Sequence, residues 1–139
     1  MDKYRTQNVI RILLIDEEPI VRAALVSLIN SWQGFQITCE GAIDSAIEQL
    51  SRVGFDVVLL SLAGCEETDT ATVKTVARLC GNSPLVVLVG DCNEDFRTQL
   101  SPLGAHCVLL KTEHPRRLQN VIQHVNETSK PRVLAQRTN

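Results

Sequence analysis

Arg11-Ile12-Leu13-Leu14-Ile15-Asp16-Glu17-Glu18-Pro19 decides how the rest of the chain is read. Positions 9–15 form a mostly branched apolar run that stops at three carboxylates and a proline. The run lacks the alternation of a half-exposed strand, so it predicts a strand buried on both faces. Asp16 and Glu17 then fall at its carboxyl end, the edge where open parallel α/β sheets bind ligands. Pro19 suits the first turn of a helix, where its missing N–H is no loss.

The same punctuation recurs along the chain. A helix is predicted over 19–32, with Val21, Leu25, Leu28 and Trp32 as its apolar stripe and Gln33-Gly34 as its stop. A strand over 35–40 and a helix over 43–53 follow, the helix carrying Ile43, Ala46, Ile47 and Leu50 on one face. The run 55–60 is apolar almost throughout and predicts a central strand. After the loop 61–67, a helix is predicted over 69–80, with Thr68 as its N-cap and Val73, Val76, Ala77 and Cys80 facing inward. A strand over 85–89 leads to a helix over 94–103, capped by Asn93 and striped by Phe96, Leu100 and Leu103. Pro102 predicts a break in it near Ser101. A strand over 106–110 ends just before Lys111, and a helix over 115–127 buries Leu118, Val121, Ile122 and Val125. Residues 1–8 are expected to be flexible, and 128–139 to be a linker or tail. Five β–α units in 9–127 predict a single doubly wound, flavodoxin-like α/β domain, its five-stranded parallel sheet flanked by five helices.

Composition narrows the function. The 139 residues carry a net charge of −2, with 44% hydrophobic and 22% charged. Lys and Arg do not cluster on a predicted face, which argues against direct nucleic-acid binding. No apolar run reaches membrane-spanning length, and a cytoplasmic domain is expected. Neither a GxGxxG nor a P-loop follows any strand, which leaves a dinucleotide-dependent enzyme without support. The five cysteines are odd in number and lack CxxC spacing. Cys39 and Cys107 are expected to be small buried hydrophobes. Cys65 and Cys92 fall in loops; they read as reactive thiols or inert ones, and no neighbour in sequence would depress their pKa. His106, His114 and His124 show no ligand spacing. Arg116-Arg117 opens the last helix as either an interaction surface or a solvated face.

Parallel strands share one carboxyl edge, which collects Asp16, Glu17, Ser61, Val89-Gly90 and Lys111. Three segments there resemble the receiver domain of two-component response regulators. They are Ile-Asp-Glu-Glu-Pro at 15–19, Phe-Asp-Val-Val-Leu-Leu-Ser at 55–61 and Gly-Ala-His-Cys-Val-Leu-Leu-Lys at 104–111. The resemblance implies strand order 2-1-3-4-5 and phosphorylation-controlled signalling. It places Ser61 at the phosphoaccepting aspartate, Val89 at a hydroxyl residue that contacts the phosphoryl group, Val108 at the aromatic switch and Thr112 at a proline.

That chemistry needs a carboxylate nucleophile, carboxylates for Mg²⁺, and cations for the phosphoryl oxygens. A serine hydroxyl is not ionised at neutral pH, and this edge offers no evident base for it. Only Asp16, Glu17 and Lys111 remain of the pocket, so the chain resembles a degenerate pseudo-receiver in which the switch position Val108 is lost. Asp16 and Glu17 would hold Mg²⁺ weakly if at all; the plainer reading is that Lys111 pairs with Asp16. Glu66 and Glu67 read as solvated, and Ser61 as a small residue filling vacated space.

The expected function is a non-enzymatic, phosphorylation-independent signalling domain with no cofactor. It would act by contact with other signalling proteins or its own output domain. The resemblance also raises a homodimer through helix four, strand five and helix five, although the stripes of Phe96, Leu100 and Leu118 are assigned to the core. The rivals are a phosphoryl acceptor using a non-standard residue, and a small-molecule or redox sensor in the emptied pocket.

Overall fold

Apolar runs without alternation become the middle of the sheet. The computed structural model describes residues 9–129. In chain order these build β1 (Ile10–Asp16), α1 (Pro19–Asn30), β2 (Phe35–Glu40), α2 (Ile43–Arg52) and β3 (Val57–Ser61). They continue with α3 (Glu67–Cys80), β4 (Leu85–Val89), α4 (Glu94–Leu100), β5 (Cys107–Leu110) and α5 (Pro115–Ser129). All five strands are parallel, in the order β2-β1-β3-β4-β5. β3 and β4 are buried at every position, and β1 from Ile12 onward. This is the doubly wound arrangement expected from the β–α alternation.

Successive strand residues point to opposite faces, so each strand feeds two cores. Leu13, Ile15, Val58, Leu60, Val87 and Val89 pack under α2, α3 and α4 through Ala46, Val73, Val76, Phe96 and Leu100. Ile12, Leu14, Val57, Leu59, Val86 and Leu88 pack under α1 and α5 through Ile29, Leu118, Ile122 and Val125. Fully burying one such side chain is worth about 1.5–3 kcal/mol.

Several expected boundaries and burials shift for identifiable reasons. α1 ends at Asn30, and Trp32 lies beyond it, edge-on to Phe35 with ring centroids 5.4 Å apart. Ile29 is the residue α1 buries, while Val21, Leu25 and Leu28 line an open groove against α5. α3 begins at Glu67, with Glu66 rather than Thr68 at its N-cap. There the Asp69 carboxyl accepts from the Glu66 N–H at 2.9 Å. α4 stops at Leu100 with Ser101 as its C-cap, so Leu103 lies outside the helix. Asn93 caps α4 as expected, its Oδ1 accepting from the Phe96 N–H at 2.8 Å. α5 continues to Ser129, which places 128–129 in a helix rather than a tail. The expectations for 1–8 and 130–139 lie outside the described residues. Cys39 is exposed, because β2 is an edge strand paired only with β1; Cys107 is half-buried.

Candidate functional site at the carboxyl edge

The pairing register assembles the edge. Asp16 lies opposite Ser61, Ser61 opposite Leu88, and Val89 opposite Leu110. The Lys111 N–H donates to the Val89 carbonyl at 2.7 Å, which carries the lysine to the same edge. Thus Asp16, Ser61, Val89 and Lys111 do converge, as their positions in sequence predict.

Asp16 is 1% exposed. Its Oδ1 accepts from the Glu18 N–H at 2.9 Å, a short turn that locks the carboxyl above the start of α1. Its main-chain carbonyl accepts from Arg22 Nη1 at 2.7 Å. Asp16 Oδ2 has no hydrogen-bond partner, and neither does the Oγ of Ser61, itself 5% exposed. Glu17 is exposed at the rim of this edge. A cavity of about 30 Å³ beside Ser61 is lined by Glu17, Leu62, Asp69 and Thr72 among others, space on the scale of one or two waters.

Lys111 does not pair with Asp16. Its Nζ donates to the Leu62 carbonyl at 2.6 Å and stands 3.6 Å from Glu18 Oε1. The ammonium is held by the main chain just past β3, and Asp16 is tied down by its own turn, so Glu18 becomes the reachable carboxylate. The donor set does not fit a Mg²⁺ ion. Position 61 supplies a hydroxyl, and no three His, Cys, Asp or Glu among the described residues are grouped to hold a metal. Val108 is half-buried against the α3–α4 side of the core, where a larger aromatic ring would need space.

The remaining candidates scatter. Glu66 and Glu67 are exposed at the start of α3. His106 Nδ1 accepts from the Leu85 N–H at 3.1 Å, and His114 Nδ1 from the Arg116 N–H at 3.0 Å, so both imidazoles serve local backbone. Arg116, Arg117 and His124 are exposed. Phe96, Leu100 and Leu118 are buried, in line with their assignment to the core. Among the described residues, no helix is long and apolar enough to cross a membrane.

Three features escaped sequence reasoning. The Arg22 guanidinium sits against Gly41, where a Cβ would collide with it. An apolar groove of about 310 Å³ runs between α1 and α5, with Ile20, 85% exposed, at its rim. The Cys92 thiol lies beside that of Cys65; burial first, then this neighbour and nearby Asp69 and Asp91, pushes it up to about 11. None of these pairs is close in sequence, and no spacing signals them.

No family model matches the chain. The sensory transduction protein LytR of Staphylococcus haemolyticus (strain JCSC1435) is similar, at 25% identity over 116 residues. The match covers 83% of this chain and 43% of that protein, so the chain spans less than half of its relative's length. Among solved structures, a CheY-like response regulator receiver domain protein from Methanospirillum hungatei superposes with a TM-score of 0.75 at 14% identity, covering 87% of this chain and 96% of that one. A response regulator from Thermotoga maritima superposes with a TM-score of 0.74 at 17% identity, covering 86% and 98%. At such identities the likeness is one of architecture, and the architecture is the receiver fold of response regulators.

Proposed function

We propose that this is a receiver-type signalling domain that works by protein–protein contact and does not take up a phosphoryl group at its carboxyl edge. The observation that carries this reading is Ser61. It ends β3 opposite Asp16, is buried, and offers an un-ionised hydroxyl where the resembling family has a carboxylate nucleophile. Val89 adds no hydroxyl, and Lys111 is engaged by Leu62 and Glu18 rather than free to meet an incoming phosphoryl group. Similarity to a protein of which the match covers only 43% favours a regulatory domain joined to an output domain over a free-standing adaptor. The domain itself is not an enzyme in this reading, and it acts in the cytoplasm on other signalling proteins or on its own output domain.

The test is intact mass after incubation with Mg²⁺ and a small acyl-phosphate donor, beside a Ser61→Asp variant. The parent is expected to gain no phosphoryl mass. An adduct on the parent, at Ser61 or at a carboxylate, would overturn the proposal.

A further inference from the structure

Apolar surface stays uncovered where α1 and α5 stand side by side. Both helices pack on the same face of the sheet. Between them the groove of about 310 Å³ opens down to Leu88 of β4 and Leu109 of β5. Val21, Leu25 and Leu28 form one wall and Leu118 the other, with the exposed Ile20 at the rim. The charged residues in the lining are Lys111 and Glu113, both from the β5–α5 connection. The volume falls at the lower end of the range of small-molecule sites.

The polar groups restrict what can fill this space. The walls are helix faces, whose main-chain groups are already bonded within α1 and α5. A peptide strand entering the groove would bury its own N–H and C=O groups without partners, at a cost. An unbranched hydrocarbon chain carries no such groups. Lys111 decides the head group. Its Nζ has three N–H donors and, among the described residues, one hydrogen bond, to the Leu62 carbonyl at 2.6 Å. Glu18 Oε1 stands 3.6 Å away, too far for a good hydrogen bond, and is half-exposed. The ammonium thus has donors to spare for a carboxylate, while Glu113 opposes a second negative charge.

We propose that the α1–α5 groove binds a single-chain fatty carboxylate, with its tail between the two helices and its head on Lys111. The tail removes the walls and Ile20 from water, which drives binding. The head takes the place of Glu18 beside the ammonium, a weak pair that is readily exchanged. Occupancy of the groove is thereby coupled to the carboxyl edge, because Lys111 also holds the main chain just past β3. This site goes beyond contact with other signalling proteins and does not depend on whether Ser61 takes up a phosphoryl group.

The experiment titrates the full chain calorimetrically with octanoate, decanoate and dodecanoate, each below its micelle concentration, and with 1-decanol and decylammonium. Each two-carbon extension of the carboxylate should tighten binding roughly tenfold until the groove is full. Decanoate should bind at least tenfold more tightly than 1-decanol or decylammonium. Lys111→Gln should erase that preference, and Glu18→Gln, which removes the competing carboxylate, should strengthen it. Ala24→Phe fills the groove from an exposed position of α1 and should abolish binding while melting like the parent. Sedimentation is run beside the titrations. Four results would overturn the proposal: no binding of any chain, indifference to the head group, binding that survives Ala24→Phe, or a dimer that Ala24→Phe dissociates and decanoate leaves intact. The last would make a second copy of this chain the occupant.

Discussion

Asp16 and Ser61 face each other at the last rung of the β1–β3 pairing, both buried, and each holds an oxygen without a hydrogen-bond partner. An unmet buried hydroxyl costs about 1–3 kcal/mol, so its removal should not destabilise the fold. Ser61→Ala is expected to match the parent or exceed it by roughly 1 kcal/mol in urea unfolding. A clear loss of stability would mean that Ser61 holds a bond that matters.

Ser61→Asp does the opposite, setting a second carboxyl directly against Asp16. Like charges at this separation and burial should lower stability by about 1–2 kcal/mol at neutral pH without divalent metal. Added Mg²⁺ should recover the melting temperature of this variant and leave the parent unchanged. A parent that responds equally would show that Asp16 and Glu17 suffice as ligands.

Lys111 contributes through the Leu62 carbonyl more than through its ion pair. Glu18 is half-exposed at 49%, and an exposed pair contributes about 0–1 kcal/mol. Glu18→Gln should therefore change stability by only a few tenths of a kcal/mol. Lys111→Ala should cost about 1–2 kcal/mol, losing the bond to Leu62 and its packed stem. Equal effects from the two variants would reverse that ranking.

Gly104 holds φ at +122°, and a Cβ there would fall 2.5 Å from the Cβ of Ala77. Strain and collision act together, so Gly104→Ala should cost roughly 2–3 kcal/mol by denaturant unfolding. Gly90→Ala, with nothing within 4 Å of its Cβ, is the matched control and should be mild.

Burial pushes the Cys80 thiol up from 9.0 to about 12. A folded-state value above the unfolded one favours the neutral thiol, so its stabilisation is complete below pH 9 and is lost as pH rises from about 9 towards 12. The parent should lose roughly 1 kcal/mol between pH 8 and pH 10 from this group. Cys80→Ala should flatten that slope while lowering stability at pH 7. An unchanged slope would assign the loss to other groups.

How much of this was legible in the sequence differs by element. β2 and β4 fall at their expected bounds because Gly34, Gly41, Pro84 and Gly90 bracket the two runs. The start of α3 was missed because Thr68 looks like a cap, whereas Asp69 reaches back to Glu66 from inside the helix. The convergence of Asp16, Ser61, Val89 and Lys111 follows from strand ends alone and was readable. The partner of Lys111 was not, because side-chain reach across an edge depends on the Asp16 turn and on the Leu62 carbonyl just past β3. Cys39 was misjudged because its residue type speaks of burial and only the sheet order reveals an edge. The meeting of Cys65 and Cys92 depends on the paths of two loops, on which hydropathy is silent.

The strand order also dictates when the site comes into being during folding. β1 lies between β2 and β3, and β4 and β5 add outward from β3. Asp16 meets Ser61 only after the chain has folded back through α2, and Lys111 arrives only when β5 docks on β4. Such parallel, non-local pairing closes long loops before contact repays them, and it is slow. A nascent chain halted before β5 would carry an acidic edge with no lysine, so Lys111 marks the finished domain.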